Sequence, residues 1–150
     1  MGLYAARLRG QGASPSGVPR QIASPSLNQQ QIAEKVVRVC YAVHAALGGE
    51  QPAETYVDAL AEHLTKAGLK VERHVPILLP YDGQYVDTGH HVDLVIARKV
   101  AIDVATTTPV TEEERIDFGS HLQLAGYAIG FVLDFRAATM ADGVHMVTQK

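Results

Sequence analysis

One cysteine, Cys40, is all that the 150 residues contain. An internal disulfide is therefore excluded, and no CxxC pair exists to hold a metal. A single thiol fits a reducing cytoplasm, which is the expected location. Long apolar runs are also missing: no stretch approaches the roughly 18 residues of a membrane span, so no membrane role is expected. Acids are absent before Glu34, while prolines stand at 15, 19 and 25 among glycines and serines. Residues 1–28 accordingly read as a disordered Pro/Ser/Gly-rich tail, and residues 29–150 as one globular domain. The tail's Arg7, Arg9 and Arg20 resemble a transit peptide in composition, but no amphipathic period supports one. Met1-Gly2 is followed by Ala6 where N-acylation wants Ser or Thr.

Basic charge is scarce in the rest of the chain. Of 13 Lys and Arg, three lie in the tail, so about ten face 16 acids and the domain carries close to −6. That balance argues against tight, phosphate-driven binding of nucleic acid, although a small local basic groove is compatible with it.

With 47% hydrophobic residues, the domain has material for a core. Ile32, Val36, Val39, Cys40, Val43 and Leu47 recur at helical spacing and stop at Gly48-Gly49. Tyr56, Ala59, Leu60, His63, Leu64 and Ala67 repeat the pattern up to Gly68. The period then changes to two, with Leu69, Val71, Val75, Ile77 and Leu79 alternating with Lys70, Glu72, His74 and Pro76. Tyr81-Asp82-Gly83-Gln84 predicts a hairpin turn, and Arg98-Lys99 a second, tighter one between His91–Ala97 and Val100–Ala105. Thr111 with Glu114 forms a capping box before a helix carrying Phe118, Leu122 and Ala125. Ala128 to Phe135 is a continuous apolar run suited to a covered central strand. Helix, helix, three strands, helix, strand predicts an α/β (α+β sandwich) fold with a mixed central sheet flanked by helices. Val144-His145-Met146-Val147 adds an edge strand able to pair with another copy.

The chemistry-bearing residues gather around two acids in apolar strands. Asp93 in Val92-Asp93-Leu94-Val95 and Asp103 in Val100-Ala101-Ile102-Asp103-Val104 come side by side if the hairpin is tight, and two such carboxylates can share one divalent cation. A structural alternative stands beside this: either acid can cap a strand end or meet solvent at a bulge. Seven histidines, at 44, 63, 74, 90, 91, 121 and 145, read mainly as surface or groove residues. His91 shares Asp93's face and is a third candidate metal ligand. His44 and His63 are expected to donate to backbone groups, and Tyr56 to sit in the core with its hydroxyl at the rim.

Residues 30 to 135 resemble the small bacterial GxxExxR family of the PD-(D/E)xK nuclease-like superfamily. The likeness is carried by Ile32-Ala33-Glu34-Lys35-Val36, Val43-His44-Ala45-Ala46-Leu47-Gly48, Tyr56 with Ala59-Leu60, Gly68-Leu69-Lys70-Val71, Tyr81-Asp82-Gly83, Val92-Asp93-Leu94-Val95 and Gly130 to Phe135. The resemblance implies a restriction-endonuclease-like fold and Mg²⁺ held by a helix glutamate, a strand aspartate and the acid of a Glu-x-Lys, with a glutamine on the next helix. Position by position, only Asp93 is retained. The helix glutamate falls on Ala53, Glu-x-Lys on Asp103-Val104-Ala105, and the glutamine on Asp117. Asp103 can still ligate, whereas Ala105 supplies neither charge nor proton.

Three substitutes stand open: Glu54 replacing Ala53, although one residue turns a helix by about 100°; Lys99 or Arg115 reaching in; and a carboxylate site of Asp93, Asp103 and Asp117 helped by His91 or His121. The leading expectation is a nuclease-like domain without catalytic activity, a pseudoenzyme retained for binding or assembly and self-associating as a homodimer. The alternative is a divergent Mg²⁺-dependent phosphodiesterase acting on DNA or RNA, and a third reading is a metal or small-ligand sensor. A nuclease calls for a basic groove and a relocated lysine beside Asp93, a binding module for an apolar patch.

Overall fold

The structure, a computed structural model, describes residues 27–149. The expected tail, and the transit and acylation readings, fall on residues outside these, except for Leu27 and Asn28. Those two belong to the folded body. Asn28 caps the first helix, its side chain accepting the Gln31 amide at 2.9 Å, while Leu27 packs against the core and its carbonyl accepts Lys99 Nζ at 2.6 Å.

Helix α1 (Gln29–Leu47) buries Ile32, Ala33, Val36, Cys40 and Val43, the stripe that the 3.6-residue period lays on one face. Helix α2 (Ala53–Lys66) buries Tyr56, Val57, Leu60, Ala61 and Leu64. Between them, the Tyr56 hydroxyl donates to the Gly48 carbonyl at 2.6 Å and accepts the Gln51 amide at 3.1 Å. Its ring stacks on Phe135, with centroids 4.2 Å apart. Tyr56 is thus buried as expected, with its polar end tying the connection.

Five strands follow: β1 (Val71–Tyr81), β2 (Gln84–Ile96), β3 (Val100–Val104), β4 (Ile129–Leu133) and β5 (Val144–Thr148). They lie in that order across one sheet. Only the β3–β4 pair is parallel, because helix α3 (Glu112–Ala125) crosses over between them. The sheet is mixed, with α1 and α2 packed on one face and α3 on the other. Strand β4 is buried along its whole length, as its unbroken apolar run predicts. The predicted edge strand is present as β5, entered through a one-turn helix, α4 (Met140–Gly143). Gly130 lets α3 lie close, since a Cβ there would stand 2.6 Å from the Phe118 ring.

Two details depart from the sequence expectation. The β2–β3 turn occupies residues 97–99, with Ala97 and Arg98 at φ 53° and 58° and the Lys99 amide donating to the Ile96 carbonyl at 3.0 Å. It is one residue longer than an Arg98-Lys99 turn and sets Ile96 against Val100. Asp93 consequently stands opposite Asp103; a two-residue turn would set it against Val104. Second, His63 is exposed and His44 half-buried against Phe135, and among the described residues neither side chain donates to a backbone group. Among the same residues, no helix is long and apolar enough to cross a membrane.

Candidate functional site

The site forms where the first two strands lose their regularity. β1 shifts register between Pro76 and Leu78, and two residues before Pro76 His74 adopts φ 50°. Left-handed backbone costs a non-glycine residue about 1 kcal/mol or more, and histidine is among the side chains that accept it more often. Arg73 pairs with Leu94 and Val75 with Val92, so His74 lies level with Asp93. On β2, Val92 packs in the α3-side cluster, whereas Leu94 packs in the cluster under α1 and α2. The strand turns over at Asp93, which brings side chains from both faces to one place.

Asp93 and Asp103 meet across the end of the β2–β3 ladder. The Asp93 amide donates to Asp103 Oδ1 at 2.8 Å, and the Val104 amide donates to Asp93 Oδ2 at 2.9 Å. Each carboxylate thereby satisfies a backbone donor of the other strand. Burial pushes the Asp103 carboxyl up to about 6, opposed by its bond from the Asp93 amide and reinforced by the Asp93 charge; His91 pulls it down.

Asp103 also lines an open cleft of about 220 Å³ under α3, shared with Ala105, Thr106, Glu114, Asp117 and His121. The helix begins with the expected Thr111–Glu114 capping box, which orients this wall. Asp117, in the position of the resemblance's glutamine, is exposed on the cleft. Desolvation lowers the His121 pKa, His90 lowers it further, and Asp117 raises it; the His90 and His121 rings lie 4.9 Å apart.

On the other side of Asp93, the rings of His74 and His91 meet edge to face at 5.4 Å. One ligand atom each from His74, His91 and Asp93 lies within 4.8 Å of the others. Glu54, in the first turn of α2, reaches toward this group: its Oε2 is 4.0 Å from His74 Nε2 and 3.1 Å from Arg73 Nη2. The helix is not rewound at Pro52, which serves as its N-cap, and Glu54 faces β1 from there.

Of the residues singled out in the sequence, Asp93, Asp103 and His91 come together, Asp117 and His121 line the adjoining cleft, and Glu54 borders the cluster through His74. The proposed basic substitutes do not join them. Lys99 is held by the Leu27 carbonyl at the far end of the hairpin, and Arg115 is paired with Glu112 on its own helix. His74 is one residue that sequence reasoning missed. A signal for it existed, because counting back along both strands from the Asp82-Gly83 turn pairs His74 with His91.

Asp134 was missed as well. Among the described residues it is the buried charged one, standing at the end of β4 and accepting the Thr108 hydroxyl and, at 2.9 Å, the Arg136 amide. It anchors the loop that carries Ala105 and Thr106. Arg136 in turn donates to the Thr106 carbonyl at 2.8 Å.

No match was found among curated proteins or solved structures. The family model described as PD-(D/E)XK nuclease superfamily matches residues 30–147, which takes in strands β1 to β4, helices α2, α3 and α4, all but the first residue of α1 and all but the last residue of β5. With a mixed sheet between helices, acids opposed on neighbouring strands, and a match across most of its length, the chain belongs to the PD-(D/E)XK nuclease superfamily.

Proposed function

We propose that the chain is a nuclease-like domain without phosphodiester-cleaving activity, retained for binding and assembly. The observation that carries this reading is the pairing of Asp103 with Ala105. The cleft keeps an acid at one position of the motif and has a methyl group where the resemblance implies a lysine. Among the described residues, the ionisable side chains that act on Asp103 are Asp93 and His91. Arg136 stands near the mouth but is exposed and bound to a backbone carbonyl, and Arg73 is occupied by Glu54 and Asp58. Loss of one preorganised electrostatic partner costs about 3 kcal/mol at a transition state, roughly a hundredfold in rate or more.

Assembly is supported by the outer half of the β1–β2 hairpin. Leu78, Leu79, Tyr81, Tyr85 and Val86 are exposed there, with the two tyrosines at 70% and 73%. Such an apolar arm marks a contact surface more often than a free one. At the opposite edge, β5 exposes Met146 and, among the described residues, pairs with β4 alone, which suits a second copy on its outer side. A homodimer through an edge strand or the arm is the form of assembly we favour.

The second reading, a divergent Mg²⁺-dependent nuclease of DNA or RNA, draws on the cleft itself, where Asp103, Glu114, Asp117 and His121 converge. Plasmid and oligonucleotide cleavage with Mg²⁺ and Mn²⁺, run on the wild type and Asp93→Ala, separates the two. Background-level cleavage, identical in both proteins, is expected. Metal-dependent cleavage that disappears in Asp93→Ala would replace the first reading by the second. Light scattering across concentration tests the dimer, and a monomer at all concentrations would remove that part.

A further inference from the structure

We infer that His74, His91 and Asp93 form a binding site for a first-row divalent transition metal of the Zn²⁺ and Co²⁺ class, in preference to Mg²⁺. The inference goes beyond the proposed function and does not depend on whether the domain cleaves nucleic acid.

The donor chemistry comes first. Mg²⁺ takes oxygen ligands in a near-octahedral shell and binds imidazole poorly. Two imidazoles with one carboxylate are a set for borderline ions, which bind such ligands at about 2.0–2.2 Å and accept three protein ligands plus an open position. Here the three ligand atoms already lie within 4.8 Å of one another without an ion between them. His74 and His91 are both exposed, so small side-chain rotations can close that spacing to the roughly 3.3 Å of a tetrahedral edge.

The backbone supplies the second, independent observation. A regular ladder from the Asp82-Gly83 turn would point alternate side chains to opposite faces. The left-handed His74 breaks that alternation, with Val71 packing on the α1–α2 face and Val75 on the α3 face, and the register shift after Pro76 moves His74 from level with His91 to level with Asp93 while its ring still meets His91 edge to face. Irregularities of this kind re-aim a side chain and concentrate at functional positions. Asp93 is also fixed by the Val104 amide on one oxygen, an outer contact that orients a ligand carboxylate. Glu54, 4.0 Å from His74 Nε2, adds negative charge that favours a cation.

The test uses the full chain without a polyhistidine tag, titrated with Co²⁺ and followed by its visible absorption, then by competition with Zn²⁺ and with Mg²⁺. Stoichiometric Co²⁺ binding displaced by Zn²⁺, and unaffected by a thousandfold excess of Mg²⁺, is expected. His74→Ala and His91→Ala should each weaken it at least tenfold, with His63→Ala unchanged. Thermal melts of the metal-free proteins check folding, and His74→Gln, which keeps a polar side chain at the left-handed position, serves if His74→Ala unfolds. Three outcomes overturn the proposal: no Co²⁺ binding; binding insensitive to both histidine variants but lost in His90→Ala with His121→Ala; or binding of Mg²⁺ as tight as that of Co²⁺.

Discussion

Asp93 and Asp103 exchange hydrogen bonds across the ladder end, each carboxylate accepting an amide of the strand opposite. In a regular antiparallel pair those amides would go to backbone carbonyls. The acids thus satisfy the sheet where its strands separate, which is the structural alternative open in the sequence. They also remain a pair of opposed carboxylates at a cleft. Both readings of the spacing describe the same two residues, because an oxygen that accepts one amide leaves its partner oxygen for other work.

The raised Asp103 pKa gives that pair a pH signature. Unfolded, the carboxyl releases its proton near 3.8; folded, it holds the proton to about 6. The native state therefore binds more protons over that interval, and stability falls as pH rises through it, then levels off above about 6. Asp103→Asn keeps an acceptor for the Asp93 amide and removes the charge. In EDTA, denaturant melts should show the variant more stable than wild type by about 1–3 kcal/mol at pH 7.5, with the difference closing toward pH 4. An equal pH slope in both proteins would remove the burial argument.

Ala105→Lys places an ammonium on the wall that Asp103 shares. The cleft is open, so the longer side chain has room, and its charge favours ionised Asp103. The fall in stability between pH 4 and 6 should shrink by at least half. The same melts read this, and an unchanged slope would mean that the residue 105 side chain turns away from the acid.

How much of this was legible follows from the physical range of each signal. Helix faces, the capping box, the buried β4 and the Asp82-Gly83 turn are local patterns, and all are present. The turn after Ile96 was misread by one residue, because Ala97 in left-handed backbone carries no sequence mark such as Gly or Asn. His74 was passed over because its pairing with His91 emerges only when the whole hairpin is counted back from the Asp82-Gly83 turn, and its further step to the level of Asp93 depends on a register shift whose position no periodicity reports. Asp134 escaped because its partner Thr108 lies 26 residues away. Glu54 was expected to point off the site and does leave the Ala53 position, yet β1 meets it there through Arg73 and His74.

Cys40 offers a probe of the core that needs no engineering. It is fully buried on α1, and burial pushes its thiol up to about 12. The thiolate is the reactive form, so a neutral-pH thiol reagent should label the native protein at least a hundredfold more slowly than the denatured chain. Labelling rate against denaturant then reports opening of the α1 face of the sheet. Rapid native labelling would show that α1 detaches well before global unfolding.

Tyr56 tests how the α1–α2 connection is held. Its hydroxyl serves two backbone groups at once, donating to Gly48 and accepting from Gln51, while its ring lies parallel to Phe135. Tyr56→Phe keeps the ring and strands both partners. The Gln51 amide lies beside exposed residues and can recover water, which limits the loss. The cost should be about 1–2 kcal/mol, seen as a lower denaturant midpoint with the slope unchanged. Tyr56→Leu removes the stacked ring as well and should cost about 3 kcal/mol or more. Because α2 also carries Glu54, loosening its start should weaken Co²⁺ binding by only a few-fold while leaving the His74 and His91 contributions intact. A loss in Tyr56→Phe as large as that in His91→Ala would mean that the helix, and not the bent strand pair, organises the cluster.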